Sequence, residues 1–343
     1  MNKKLIALAV AGASLAPAAM AQTANPVTLY GRIWVMAESV EASGGVASIA
    51  RRNRVSDQSS LLGVRGTEDL GGGLKAVFQL ETGFAPDANM TTFATRNSGV
   101  GLQGGFGTIM LGRWDTPFKT TQTAVDAFGD NALGDITGAT MNGGNFSRRE
   151  QNNIQYWSPS WGGFEFRAQY TANEGKAANV NPYVYGGSVA WTRGNFYAAI
   201  AYEQHRDLNG ATPTQGNKEE GTGIAASYRM GNLKFSGQYG EYKETNLSKQ
   251  KSYYLGLEWF VGKHVFLGTF QNAKDGVAAG ASAECDMYSF GYQYVFSRRT
   301  MFGVNYTEVK NDSGNLCNFG SNALTITGNQ DPKGFAAGFR HTF

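Results

Sequence analysis

Apolar and polar residues alternate with a period of two along most of this 343-residue chain. Between Leu233 and Tyr239, Leu, Phe, Gly and Tyr share one face, whereas Lys, Ser and Gln share the other. Similar alternation recurs at 164–170, 224–230, 253–259 and 288–296. Because successive side chains of a β-strand point to opposite faces, this pattern predicts strands, and helical spacing is scarce.

A soluble β-sandwich also alternates. Here, however, the apolar faces carry aromatic residues near their ends, as expected of strands that cross a bilayer between aromatic girdles. Aromatic residues reach 13% of the chain and the mean hydropathy is −0.33, which excludes a bundle of long apolar helices. A sheet that faces lipid must close on itself, since lipid cannot pair with a free strand edge.

Short turns rich in Gly, Asn or Arg occur at seven places in the chain, the first being Gly71-Gly72-Gly73. Longer polar segments, which we interpret as loops, lie near residues 39–57, 85–95, 115–151, 172–182, 204–221, 244–250, 274–284 and 310–332. Fifteen connections of alternating length predict an all-β fold, a 16-stranded antiparallel transmembrane β-barrel with long external loops.

The first 21 residues have the three parts of a secretory signal peptide in order. Lys3 and Lys4 precede an apolar stretch from Leu5 to Leu15, and Ala19-Met20-Ala21 forms a small-residue cleavage site. We expect cleavage between Ala21 and Gln22, which leaves residues 22–343 as the barrel domain. The alternative is a buried N-terminal helix. The remaining charge is close to zero and gives no reason to expect nucleic acid as a partner.

The run from Gly63 to Glu81 resembles the second hairpin of the general-diffusion porins of beta-proteobacteria, of the Neisseria, Bordetella and Burkholderia type. Further motifs with this resemblance are Leu29-Tyr30-Gly31-Arg32, Gly107–Arg113, Tyr156-Trp157-Ser158-Pro159 and Arg340-His341-Thr342-Phe343. The resemblance implies a homotrimer of 16-stranded barrels in the outer membrane of a Gram-negative bacterium. It also implies passive passage of small hydrophilic solutes and ions, and an inward-folded third loop that narrows each pore.

The segment 115–151 is the longest connection and the candidate constriction loop, since long loops without secondary structure are usually functional. Strand parity and the resemblance together nominate the pore-constriction residues Arg32, Arg65, Arg96, Asp126, Asp130, Asp135, Arg148 and Arg149. Carboxylates opposite arginines would create a transverse field that separates cation and anion paths. The alternative is a solvated external loop. Leu61 stands where the family usually has Arg, so the sequence leaves ion preference open.

Cys285 and Cys317 lie in or beside the seventh and eighth predicted loops. In an exported chain they permit one internal disulfide, and the alternative is a pair of free thiols. Phe343 ends an alternating strand, and the resemblance implies that such a terminal aromatic residue is recognised by the outer-membrane assembly machinery. The same setting implies contact with outer-membrane lipid and lipopolysaccharide.

The chain has no nucleophile-elbow motif, no phosphate-binding loop, no Cys-x-x-Cys and no paired histidines. We therefore expect no catalytic residues, no metal site and no cofactor, and we predict a passive porin. A substrate-selective channel stays open, with Tyr30, Trp34 and Trp114 as either a stacking track for solutes or packing aromatics. A more distant alternative is an adhesin or surface antigen that uses the long loops.

Overall fold

The computed structural model describes residues 27–45, 47–88, 93–129, 132–141, 145–172, 174–278, 283–312 and 317–343. The predicted signal peptide 1–21, its cleavage site between Ala21 and Gln22, and Asp130 in the candidate constriction loop lie outside these ranges.

The described residues form one antiparallel sheet. Its strands, in chain order, are β1 (Val27–Gly44), β2 (Ile49–Asp57), β3 (Leu61–Gly71), β4 (Leu74–Gly83), β5 (Ser98–Gly104), β6 (Gly107–Asp115), β7 (Arg149–Trp157), β8 (Phe164–Thr171), β9 (Tyr183–Arg193), β10 (Phe196–Asn209), β11 (Thr212–Met230), β12 (Leu233–Glu244), β13 (Gln250–Val261), β14 (His264–Lys274), β15 (Glu284–Val295), β16 (Thr300–Asn311) and β17 (Gln330–Thr342).

The sheet closes into a barrel because β1 pairs with β17, from Arg32 opposite Thr342 to Gly44 opposite Gln330. The other edge of β1 pairs with β2 along its upper part and with β3 along its lower part. β2 and β3 are therefore one barrel strand interrupted at residues 58–60, and the described barrel has sixteen strand positions. The predicted 16-stranded antiparallel barrel is confirmed.

Two predicted external loops are largely strand, which corrects the ranges 39–57 and 204–221. β1 continues to Gly44 before β2 begins at Ile49, and only residues 210–211 separate β10 from β11. Both hairpins extend to the external rim, where charged pairs such as Glu41 with Arg51 are exposed (2.9 Å). The inner face of these extensions mixes buried apolar residues, such as Val40 and Ala42, with buried polar residues, such as His205 and Glu219. The period-two pattern that marks the membrane-spanning part therefore fades although the backbone ladder continues.

The short turns lie at the opposite rim, which faces the periplasm in bacterial barrels. At the first of them, Gly71, Gly72 and Gly73 all have positive φ (84°, 62° and 81°), a conformation in which other residues are strained. Apolar side chains such as Leu29, Phe290 and Phe339 are exposed on the outer wall, as a lipid-facing surface requires.

The third loop, residues 116–148, contains a short helix α1 (Pro117–Thr123) and a 3₁₀ turn (Ile136–Gly138). Two clusters of buried apolar side chains form where this loop packs against the inner faces of the strands. Within the described ranges, no helix has the length and apolarity needed to cross a bilayer.

Candidate functional site

The break between β2 and β3 organises one side of the lumen. Ser59 has a φ of +65°, and its carbonyl oxygen accepts hydrogen bonds from Arg32 Nη2 (2.8 Å) and Nε (3.3 Å). Trp34, on the neighbouring strand, receives a hydrogen bond at its carbonyl from Gln58 N and donates its own amide to Ser60 Oγ. The three residues of the break therefore replace the missing ladder bonds and hold a guanidinium on the inner face of β1.

Arg96 joins the same group from the loop before β5. Its Nη1 donates to Ser59 Oγ (2.8 Å), and its Nε donates to Glu81 Oε1 (2.7 Å). Tyr30 Oη donates to the other oxygen of Glu81 (3.0 Å). Arg96 precedes β5, which begins at Ser98, so strand parity does not decide the direction of its side chain.

Arg65 lies beside this network on β3, with its Cζ 5.1 Å from the centre of the Tyr30 ring. On the other side, Arg32 and Arg340 approach the ring of Trp34, with Cζ distances of 5.5 and 5.4 Å. Guanidinium groups at this range are attracted to the electron-rich face of an aromatic ring. Arg340 was not among the nominated residues, although the outward parity of Phe339 and His341 on the same strand points it inward.

Arg32, Arg65, Arg96 and Arg340 carry four positive charges, and Glu81 is the carboxylate that bonds directly to this group in the described chain. We refer to these five residues as the arginine wall. Its formal charge is +3, so it creates a positive potential on the side of the lumen formed by β1, β3, β4 and β17.

The third loop lies inside the barrel. Its buried side chains Phe118, Ile136 and Phe146 pack against inward-facing Tyr242 and Tyr254 of β12 and β13. Backbone bonds add to this packing: Ala127 N donates to Tyr254 Oη (2.8 Å). Strands β10 to β13 stand roughly half a circumference away from the arginine wall in the strand order. The loop therefore occupies lumen space that would otherwise be open.

The carboxylates of the third loop do not sit as the sequence led us to expect. Asp126 and Asp135 are only 8% and 2% exposed. Asp126 accepts a hydrogen bond from Phe128 N (3.0 Å), and Asp135 caps the 3₁₀ turn by accepting from Thr137 N (2.5 Å) and Thr137 Oγ1 (2.6 Å). Both carboxylates thus accept hydrogen bonds from donors within the third loop itself. Neither carboxylate faces the lumen.

Arg148 and Arg149 lie at the end of the third loop and are not part of the arginine wall. Arg149 pairs with Asp115 (3.0 Å), the last residue of β6, and so closes the two ends of the loop. Lys119 of α1 reaches the same carboxylate (3.3 Å). Arg148 binds Glu150 and donates to the carbonyl of Gly210 (2.7 Å) at the external hairpin of β10 and β11.

A fully buried histidine lies beside this loop end. His205 Nδ1 is 2.5 Å from Glu219 and its Nε2 is 2.8 Å from Glu203, and its ring stacks on Phe146 (4.6 Å between centres). Glu219 also accepts from Gly210 N (2.9 Å). The cluster ties the third loop to the wall through charge and aromatic contact together.

The eighth loop, residues 312–329, covers the third loop from the external side. Gly320 N donates to the Leu133 carbonyl (3.2 Å) and Asn318 N donates to the Gly138 carbonyl (3.3 Å). Cys317 of this loop is joined to Cys285 of β15 by a disulfide, with Cα atoms 6.2 Å apart. The bridge anchors the loop that in turn contacts the third loop.

Phe343 lies on the seam of the barrel. Its amide donates to the Gly31 carbonyl (3.0 Å), and the Gly31 amide donates back to the Phe343 carbonyl (3.1 Å). A Cβ added to Gly31 would collide with the Phe343 ring and lie 2.8 Å from the Leu61 carbonyl oxygen. The aromatic ring therefore covers the glycine on the outer wall.

Across the described part of the chain, no group of three or more His, Cys, Asp or Glu side chains is arranged to hold a metal ion. The geometry instead has the elements of an aqueous channel: a closed barrel, a loop packed inside it and a cationic wall facing the lumen.

Comparisons with known proteins agree with this geometry. The model of a family described as Gram-negative porin matches residues 7–314. Outer membrane porin protein 32 of Delftia acidovorans is 33% identical over the full length of both chains. A major outer membrane protein P.IB of Neisseria gonorrhoeae is 36% identical over 59% of this chain and 56% of that protein.

A solved structure described as the anion-selective porin from Comamonas acidovorans aligns with 93% of this chain and all of its own, at 26% identity and a TM-score of 0.80. OmpT of Vibrio cholerae shares the fold at 16% identity and a TM-score of 0.72. The predicted family, fold and location are therefore confirmed: this chain belongs to the Gram-negative porin family and is an outer-membrane porin.

Proposed function

We propose that the chain forms a passive, anion-preferring diffusion pore for small hydrophilic solutes and ions. The arginine wall is the observation that carries this proposal. Four guanidinium groups and one carboxylate face the lumen there, while Asp126 and Asp135 on the third loop are buried. The similarity to the porin from Comamonas acidovorans, which is anion-selective, supports the same direction.

Passage needs two physical effects and no catalytic step or cofactor. The third loop narrows the lumen, so it sets a size limit. The positive potential of the arginine wall raises the local concentration of anions and lowers that of cations. Arg32 and Arg96 are fixed by Ser59 and Glu81, so their charge stays in place while an ion moves past with part of its hydration.

The assembly is proposed to be a homotrimer exported by the signal peptide 1–21. Contact with lipopolysaccharide is part of the same proposal, and two outward lysines lie near the external ends of β13 and β14. Lys251 and Lys274 stand opposite each other across β13 and β14, with Glu241 opposite Lys251 and Glu284 paired with Lys274 (3.6 Å). Lysines at this level can contact the phosphates of a phosphate-bearing lipid. The seam at Phe343 is the proposed recognition point for the assembly machinery.

The test is single-channel recording in planar bilayers, with reversal potentials measured across a KCl gradient. We expect stepwise conductance in groups of three and a reversal potential of the anion-selective sign. Arg96→Ala should move the potential toward zero. Arg206→Ala, on the exposed outer face of β10, is the matched control and should not. Absence of conductance would reject the pore, whereas a cation-selective wild type would reject the charge assignment.

A further inference from the structure

A second lumen feature lies on the periplasmic side of the arginine wall. It is a recess of about 360 Å³ whose lining includes Arg65, Gln79, Gln103, Thr108, Trp114 and Trp157. Its walls include residues of β3, β4, β5, β6 and β7. The recess is therefore built on strands of the barrel and not on a loop.

A bend in β6 creates this recess. The pairing of β6 with β7 shifts in register between Gly112 and Trp114, and Gly112 has a φ of +143°. The Asp115 carbonyl accepts a hydrogen bond from Gln155 (2.9 Å), whose partner across the strands is Met110. The chain therefore turns inward after Gly112 and carries the Trp114 side chain over the inner wall.

This bend brings two indole rings together. The centres of Trp114 and Trp157 are 5.1 Å apart, with their planes inclined by 55°. The Trp157 N–H donates to Gln155 Oε1 (2.8 Å), which fixes the ring. Both side chains are half-exposed rather than buried, so they present aromatic surface to passing solutes.

Guanidinium groups accompany the indoles. Arg167 Cζ lies 5.5 Å from the centre of the Trp157 ring. Arg65 is exposed on the wall of the recess and makes no hydrogen bond or ion pair with the part of the chain that the structure describes. Glu165 is close enough to interact with Arg167 through space. The donors of Arg65 therefore face the lumen, ready for a carboxylate.

We propose that this recess is a binding subsite for planar organic anions, with aromatic carboxylates as the ligand class. The ring of such a solute would pack on the indoles while its carboxylate binds Arg65. Small inorganic anions lack the apolar surface and would pass without being held. Neutral sugars lack the charge that Arg65 and Arg167 select. The proposal rests on the proposed pore function and adds a residence site to it.

The experiment is block of KCl conductance through the reconstituted porin by benzoate, with acetate and benzyl alcohol as probes that each lack one feature. We expect saturable block by benzoate and weaker, non-saturating effects of the other two. Equal block by benzyl alcohol would overturn the role of charge. Equal block by acetate would overturn the role of stacking.

Substitutions in the recess test whether benzoate blocks the channel by binding there. Trp157→Leu and Arg65→Gln should each raise the half-blocking concentration of benzoate, by roughly fivefold for loss of one aromatic or ionic contact. Trp157→Phe should have a smaller effect and guards against a folding defect. The controls are Trp161→Leu, on an exposed periplasmic turn, and Arg229→Gln, a lumen arginine on Phe260 across the barrel.

Two failures are distinguishable. If no variant conducts, the pore function itself is in error. If the wild type conducts normally in KCl but benzoate does not block it, or if all variants are blocked alike, the pore stands and the subsite is rejected.

Discussion

The Ser59 carbonyl oxygen accepts two hydrogen bonds from the Arg32 guanidinium, at 2.8 and 3.3 Å. A carbonyl acceptor neutralises no charge, unlike a carboxylate. Arg32 is thus held in a fixed orientation on the lumen wall by the strand break.

Two substitutions at Arg32 distinguish the effect of its charge from the effect of its hydrogen bonds. Arg32→Gln removes a unit charge, which at about 7 Å in water is worth about 0.6 kcal/mol to a passing anion, so we expect roughly a threefold loss of anion preference. Arg32→Lys should keep most of the preference. The measurement is the reversal potential in a KCl gradient. Equal losses for both variants would contradict a role for charge and indicate a packing effect.

The disulfide between Cys285 and Cys317 should stabilise the eighth loop and, through it, the third. The bridge closes a segment of 32 residues, and such cross-links typically contribute about 2–4 kcal/mol. We expect reduction, or a Cys285→Ser, Cys317→Ser variant, to lower the unfolding temperature and to increase current noise from the open channel. Cysteines that are freely alkylated without reduction would contradict the bridge.

The seam residue Gly31 should tolerate no side chain. A methyl group there collides with the Phe343 ring and with the Leu61 backbone, so Gly31→Ala should reduce the yield of folded barrel on a heat-modifiability gel. Gly268→Ala is the control, because a Cβ at Gly268 meets no atom within 4 Å. Normal folding of Gly31→Ala would show that the seam can relax.

The buried His205 cluster should matter for how firmly the third loop is held. His205→Phe keeps an aromatic ring on Phe146 but leaves Glu203 and Glu219 without their shared partner, and breaking a buried charge pair typically costs about 3–5 kcal/mol. We expect faster proteolysis of the third loop. Adding Glu203→Gln and Glu219→Gln should restore part of the protection, and no rescue would assign the defect to packing instead.

Much of the architecture was predictable because a barrel wall imposes a period of two on its sequence. That period predicted the strands and the inward direction of Arg32 and Arg65, both of which lie on regular strands. Applied to β17, the same rule would have nominated Arg340. It failed at the external hairpins, where polar side chains such as His205 and Glu219 are buried against the third loop, so that burial no longer follows polarity.

The third loop was beyond such reasoning. Whether Asp126 and Asp135 face the lumen depends on which residues of the loop pack on Tyr242, Tyr254 and Gln271, more than a hundred positions away. The break at Gln58–Ser60 could not be predicted either. Its residues form individual hydrogen bonds to Trp34 and Arg32 in place of the regular ladder bonds. No local pattern in the sequence marks either feature.

The pairing of β1 with β17 also has a consequence for biogenesis. It joins Arg32 to Thr342, two positions separated by nearly the whole barrel domain. Contacts between such distant positions carry the largest loop-closure entropy and form late. Until they form, the facing edges of β1 and β17 are both unpaired. Arg340 on β17 is then also separated from the rest of the arginine wall, which lies on β1, β3, β4 and the segment before β5. Insertion and the appearance of a selective pore should therefore be a single event, completed at this seam.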